Sequence, residues 1–194
     1  SSSYSQVLIV GAGPTGLAAA AFLAKLGVKV RIIDKNASRS DKSKALGVQA
    51  GTLECFDKAF GDKVSQTMIA AGQPAKAAWI HINRKKPIEV NLQAIPSKYN
   101  FILILAQSET ERILEEYLST FNVKVERNTE LTSIENQDSH VICQIRSPSG
   151  QRQTLITAFV IGCDGAHSTT RHLLNIPFVG EAYTGNFILG DVVL

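Results

Sequence analysis

The sequence predicts an α/β fold built around a parallel sheet, and three observations predict it. Val7-Leu-Ile-Val10 is an apolar run ending in glycines, Pro14 to Leu26 is rich in Ala and Leu, and Val28-Lys-Val-Arg-Ile-Ile33 alternates before closing on Asp34. A short apolar run bounded by glycine is the pattern of a strand buried on both faces. Pro14 suits the first helical turn, and Gly27 suits the position just past the helix end. Strand, helix and strand within about thirty residues make a βαβ unit whose crossover is right-handed.

The remaining elements follow in order. Lys35 to Lys44 is a polar, basic loop. Gly47 to Gly61 carries Val48, Leu53, Phe56 and Phe60 at mostly helical spacing. Ala77–Ile82 and Ile88–Leu92 are read as two strands across a Lys-Lys-Pro turn, and Phe101–Leu105 as another apolar strand. Gln107 to Phe121 predicts a helix, with Ser108 and Glu111 in capping-box spacing and Ile113, Leu114, Tyr117 and Leu118 as its apolar face. Val123–Glu126, Leu131–Glu135, Val141–Arg146, Thr154–Thr157 and Phe159–Ile161 are read as strands, with a hairpin turn at Pro148-Ser-Gly150. A short helix then runs to Leu174, and Phe187–Leu194 reads as a further strand.

Composition excludes several classes. The chain has 194 residues, 44% hydrophobic and 19% charged, so it is neither disordered nor fibrous. Twenty Lys+Arg against 17 Asp+Glu leave a net charge of +3, too mild and scattered to imply a nucleic-acid partner. No apolar run approaches the ~18 residues needed to span a bilayer. Three distant cysteines, Cys55, Cys143 and Cys163, make neither a disulfide framework nor a thiolate metal site, and a reducing cytoplasmic setting is expected. The lone Met is the internal Met68, and Ser1–Gln6, which has no apolar core, reads as a tail and not a signal peptide.

Gly11-Ala-Gly-Pro-Thr-Gly16 is a G-x-G-x-x-G placed between a strand and a helix, with Asp34 lying 23 residues after Gly11. That context marks a Rossmann-type dinucleotide turn. Gly11 permits the tight turn, and Gly13 leaves room for a pyrophosphate beside the backbone. The helix start at Pro14, Thr15 and Gly16 offers unpaired N–H groups, Pro14 itself having none, and a positive dipole end to that phosphate. Asp34 is placed to accept the ribose hydroxyls. Leu17 and Ala18 stand where a P-loop needs Lys and Ser or Thr, which excludes a nucleoside-triphosphate hydrolase. No G-x-S-x-G elbow supports a serine hydrolase, and His167 and His172 are off the i, i+4 spacing of a metal pair. His81, beside Trp79, reads as a packed or surface histidine. Lys35, Arg39, Lys42 and Lys44 read as a solvated loop or, more sharply, as charges near cofactor phosphates.

Val7-Leu-Ile-Val-Gly-Ala-Gly-Pro-Thr-Gly-Leu17 resembles the opening of the class A flavoprotein monooxygenases, the FAD-dependent aromatic hydroxylases. Lys44-Ala-Leu-Gly-Val-Gln-Ala-Gly-Thr-Leu-Glu54 resembles their segment after the second strand, and Gln107-Ser-Glu-Thr-Glu-Arg-Ile-Leu114 their FAD-contacting Gln and its helix. Cys163-Asp-Gly-Ala-His-Ser-Thr-Thr-Arg171 is similar to their second fingerprint, in which the Asp-Gly pair approaches the dinucleotides. Leu174-Asn-Ile-Pro-Phe-Val-Gly180 resembles the phenol hydroxylase-like branch. Without the resemblance, Gln107 is a polar helix-start residue and Asp164 a strand-end turn residue. The chain departs from the family in three places. Asp34 replaces the usual Glu, and Lys44 replaces an Arg and its bidentate fork. The third fingerprint, Gly-Asp followed by Ala-Ala-His, is matched neither at Gly61-Asp62 nor at Gly190-Asp191.

The resemblance implies an α/β, Rossmann-like FAD/NAD(P)-binding domain with a β-meander and part of an inserted substrate domain. The FAD-binding domain is expected over residues 5–72 and 101–180, with the partial substrate domain at 73–100 and 181–194. The helices should cover one face of the parallel sheet and the Leu131–Thr157 meander the other. It also implies FAD as cofactor, NADH or NADPH as co-substrate, and hydroxylation of a small phenol-like aromatic by O2 through a flavin C4a-hydroperoxide. Expected cofactor-binding residues are Gly11, Gly13, Pro14, Thr15, Gly16, Asp34, Lys35, Lys44, Gln107 and Asp164, with no metal site and no assigned catalytic residue. Another FAD oxidoreductase of the superfamily (an epoxidase or isoprenoid reductase) and a non-catalytic dinucleotide-binding module stay open, as does a homo-oligomer. The chain is expected to be the N-terminal portion of a longer enzyme, without turnover alone.

Overall fold

The computed structural model describes residues 3–39, 47–83, 85–181 and 185. In chain order it comprises β1 (Ser3–Val10), α1 (Pro14–Lys25), β2 (Val30–Ile33), β3 (Gly47–Val48), α2 (Ala50–Phe60) and α3 (Asp62–Ala71). Then come β4 (Gln73–Ala75), β5 (Ala77–Ile80), β6 (Ile88–Asn91), β7 (Ile102–Ile104), α4 (Gln107–Ser119) and β8 (Val125–Glu126). β9 (Glu130–Asn136), β10 (Val141–Arg146), β11 (Arg152–Gly162) and α5 (Thr169–Leu173) complete it.

A six-stranded sheet in the order β8-β2-β1-β11-β10-β9 organises the molecule. β8, β2, β1 and β11 run parallel, and β11, β10 and β9 form the antiparallel meander. β11 belongs to both halves, so one strand carries the meander and the parallel sheet together.

Alternation along β1 explains its continuous apolar run. Val7 and Ile9 join a core made with Leu17, Ala20 and Ala21 of α1, Leu53 of α2, Met68 of α3 and Leu114 and Leu118 of α4. Leu8 and Val10 join a second core with Ile33, Leu131, Val141, Cys143, Ile145 and Leu155. Helices therefore cover one face of β1 and meander side chains the other, as the sequence predicts. Cys143 sits inside the second core, where burial pushes its thiol up to about 11.

Four readings need correction. Ser3–Gln6 is not a tail: Ser3, Tyr4 and Ser5 pair with Leu155, Ile156 and Thr157, because backbone pairing needs no apolar side chain. Thr154–Thr157 and Phe159–Ile161 are one strand, β11. The helix read over Gly47 to Gly61 is followed directly by another, α3 at Asp62–Ala71, to which the sequence assigns no element; Gly61, at φ +79°, turns the chain between α2 and α3. α4 is preceded by Ala106 with no side-chain cap, so Ser108 and Glu111 form no capping box. Lys44 and the strand read at Phe187–Leu194 lie outside the described residues.

Residues 73–100 leave the main sheet and return. β4 pairs with β7 in a three-stranded sheet with β3, whereas β5 and β6 form a separate hairpin exposing Trp79, Ile80, Ile88 and Val90. The return is anchored at Tyr99, whose hydroxyl donates to Asp57 Oδ2 of α2 at 2.8 Å and lies 3.1 Å from Ser65 Oγ of α3.

Leu8→Ala should destabilise the protein by about 2–5 kcal/mol, because a fully buried side chain between strand and meander leaves a cavity. Trp79→Ala, on the exposed hairpin, should stay within about 0.5 kcal/mol of the parent. Urea midpoints at constant slope check both.

Candidate functional site

The carboxyl ends of parallel strands are where α/β sheets bind ligands. Here the ends of β1, β2, β8 and β11 surround a cleft of about 310 Å³. Gly11, Gly13, Pro14, Thr15, Asp34, Lys35, Gln107 and Asp164 line it together. Gly16, the last glycine of the motif, is buried one step behind the wall.

Two segments far apart in the sequence meet with no space between them. The Cys163 N–H donates to the Val10 carbonyl at 2.7 Å. At Gly11, φ is +100° and an added Cβ would lie 2.4 Å from the Cys163 carbonyl oxygen. A Cβ at Gly16 would lie 1.9 Å from the Gly11 oxygen. Gly13 is different: its φ of −75° suits any residue, and a Cβ there would meet nothing within 4 Å. The turn and the packing require Gly11 and Gly16; Gly13 lines the cleft with no such requirement. No side chain caps α1 and no acidic residue occupies its first turn, so its positive end is left for a ligand.

Asp34 is 8% exposed and also braces the glycine loop. Its Oδ2 accepts the Ala12 N–H at 2.7 Å and its Oδ1 the Asn36 N–H at 2.8 Å. Each oxygen keeps a lone pair for a hydroxyl donor. Asp164 accepts from Ser168 Oγ at 2.6 Å, and from the Thr170 amide and hydroxyl at 2.9 and 3.1 Å. Burial alone would raise its carboxyl; these donors outweigh burial and hold it below the usual carboxylate range. Its neighbour Cys163 moves up instead, through burial first and the Asp164 charge second. Asp164 thus fixes the start of α5 while facing the cleft.

Several lining residues carried no sequence-level signal of their own. Arg127, just after β8, donates to Glu115 Oε2 at 2.9 Å and lies 4.0 Å from Asp34 Oδ2. Glu115 also binds Arg39, at 3.0 Å. Thr129, buried, donates its N–H to the Asp34 carbonyl at 2.9 Å. Position could have flagged Arg127: it directly follows a strand parallel to β2, at the end where such sheets bind ligands. Glu111, read as a capping residue, instead accepts from Gln107 Nε2 at 2.7 Å. Among the described residues, no cluster of three or more His, Cys, Asp or Glu side chains could hold a metal ion, and no helix is long and apolar enough to cross a membrane.

A family model described as "FAD binding domain" matches residues 4–194. The chain belongs to this family. This FAD-binding domain is 34% identical over 192 residues to 6-methylpretetramide 4-monooxygenase of Streptomyces rimosus, covering 97% of the chain and 33% of that protein. It is 31% identical to pentachlorophenol 4-monooxygenase of Sphingobium chlorophenolicum, covering 96% of the chain and 35% of that protein. The anhydrotetracycline hydroxylase of Streptomyces rimosus superposes with a TM-score of 0.82 at 28% identity, over 93% of this chain and 36% of that one. The FAD-binding domain therefore spans about a third of the length of the curated relatives it matches, which are monooxygenases.

Asp164→Asn should destabilise the domain at neutral pH. Because the folded Asp164 carboxyl titrates below its unfolded value of about 4, its contribution is full above that pH and disappears as pH falls through the lowered folded value. Chemical denaturation of both proteins from pH 7 to pH 3 should show the difference shrinking only at the acid end.

Proposed function

We propose that this domain holds FAD in a flavin-dependent monooxygenase that hydroxylates a phenol-like aromatic ring, with NADH or NADPH as reductant and O2 as oxygen donor. The observation that carries the reading is Gly13, a glycine that neither its backbone angles nor its neighbours require. A side chain there would fill the cleft beside the uncapped start of α1, which is the space and charge that a pyrophosphate needs. The relatives' names support the aromatic substrate class.

The residues present fit the cofactor. The α1 start, with Gly13, Pro14 and Thr15, would hold the pyrophosphate; Asp34 would accept ribose hydroxyls; Lys35, Gln107 and Asp164 would complete the cradle. When bound, FAD would supply the redox chemistry of reduction by nicotinamide and oxygen transfer to the ring. This chain's task is to bind and orient it, and no acid, base or nucleophile is assigned here. The exposed β5–β6 hairpin, with Trp79 and Ile88, belongs in this reading to the substrate region at 73–100. A cytoplasmic location agrees with the free thiols of Cys55, Cys143 and Cys163.

Titration of the chain with FAD and with ADP, followed by flavin fluorescence and calorimetry, tests the reading. Both ligands should bind. Gly13→Ala should weaken both at least about tenfold while changing stability by less than about 1 kcal/mol. Gly11→Ala should instead destabilise the fold by about 3 kcal/mol or more, through left-handed backbone strain and the clash with Cys163. Unchanged affinity in Gly13→Ala would remove the pyrophosphate from the floor of the cleft.

Asp34→Ala should lower FAD and ADP affinity by roughly ten- to a hundredfold, since it removes charge-assisted acceptors. It should also lower the urea midpoint, because the Ala12 and Asn36 amides lose their partner. An affinity equal to the parent's would place the ribose elsewhere.

A further inference from the structure

Glu111 is an ionisable side chain only 3% exposed, and the other buried residues of α4, Thr110, Ile113, Leu114 and Leu118, carry no ionisable group. Burying a carboxylate is costly, and a leucine would serve the core at that position better. The carboxylate lines the cleft, and its hydrogen-bond partner among the described residues is Gln107, one helical turn earlier. Gln107 lines the same cleft.

We propose that Glu111 is a positioning residue that fixes the side-chain amide of Gln107 for the cofactor. The inference rests on reading the cleft as the FAD site. An isolated glutamine amide can turn over, exchanging its oxygen and nitrogen. An ionised carboxylate only accepts hydrogen bonds, so the NH2 group of Gln107 must face Glu111. Gln107 Nε2 donates to Glu111 Oε1 at 2.7 Å, within the range of a charge-assisted bond. That leaves Gln107 with its carbonyl oxygen and one N–H for a ligand, an acceptor and a donor side by side. Such a pair matches a hydroxyl-bearing part of the cofactor; a phosphate would call for donors alone. The cost of burying Glu111 is offset by a glutamine whose orientation is set before the ligand arrives, so less side-chain ordering opposes binding.

Three variants and two readouts test this. Glu111→Met keeps the length and helix preference and removes the acceptor. It should weaken FAD binding by about three- to tenfold, the scale of ordering one long side chain. The same change in a Gln107→Ala background should cost nothing further, because the effect passes through Gln107. Glu111→Gln, in which either amide can donate to the other, should lose about twofold by halving the correctly turned population. In the ligand-free protein, the Gln107 side-chain amide signals in a proton–nitrogen spectrum should be shifted in the parent and move to ordinary glutamine positions in Glu111→Met. The proposal is overturned if Glu111→Met binds FAD as well as or better than the parent, as simple charge repulsion of an anionic ligand would give. It is equally overturned if the loss persists without Gln107, or if the amide signals do not move. A parent chain that shows the amide shift yet takes up no FAD would overturn the proposed function and leave the Glu111–Gln107 lock standing.

Discussion

The carboxyl ends of β1 and β11 touch backbone to backbone, and the cleft exists because they do. The Cys163 amide bonds to the Val10 carbonyl, and one residue later Gly11 passes so close that no Cβ fits between it and the Cys163 oxygen. This contact brings the start of α1 beside Asp164, although a whole domain of sequence separates them. Gly16 extends the constraint by letting the first turn of α1 press onto the Gly11 carbonyl. With larger residues at either position, the helix start would move away from the β11 end and its positive pole would point elsewhere. The two cores on opposite faces of β1 hold the strands in this register, since Val7 and Ile9 are gripped from one side and Leu8 and Val10 from the other.

Charge around the cleft follows a consistent pattern. Every acidic side chain described on its inner wall already has internal donors. Asp34 takes the Ala12 and Asn36 amides, Asp164 takes Ser168 and Thr170, and Glu111 takes Gln107. Behind them Glu115 is shared by Arg39 and Arg127. Negative charge is thus absorbed into shaping the walls, while the pole of α1 meets no acidic residue in its first turn. An anion entering the cleft meets carboxylates screened by short hydrogen bonds and a helix start that is not screened.

How much of this was legible depends on whether the signal was local. The βαβ unit could be read because parity, Pro14, Gly27 and the glycine motif all act within one stretch of chain. The hairpin of β5 and β6 and the helix α4 were equally readable from periodicity. α3 was missed because its buried face, Val64, Ser65 and Met68, contains too little apolar signal, and Gly61 looked like an end when it is a turn between helices. Ser3–Gln6 was misread because a strand at a sheet's interior can be recruited by backbone pairing alone. At the site, Gly11, Asp34, Gln107 and Asp164 belong to motifs and converge on one cleft. Arg127 belongs to no motif, and Glu111 belongs to one that pointed to a helix cap and not to the cleft. Their importance comes from partners on other elements, or from a burial that only the folded chain reveals.

Two residues here conflict with what the fold by itself would select. Gly13 gives up the side chain that its ordinary backbone angles would accept, and loses backbone order in doing so. Glu111 places a carboxylate where Leu114 and Ile113 show that apolar side chains pack. Local packing requires neither choice, and both residues line the same cleft. Gly11 and Gly16, by contrast, are fully accounted for by contacts within the chain, so they say little about a ligand. A residue that the fold explains cannot also testify to what the fold binds. The residues that most strongly mark a cofactor site are therefore those that local packing does not require, and they line one cleft beside the start of α1.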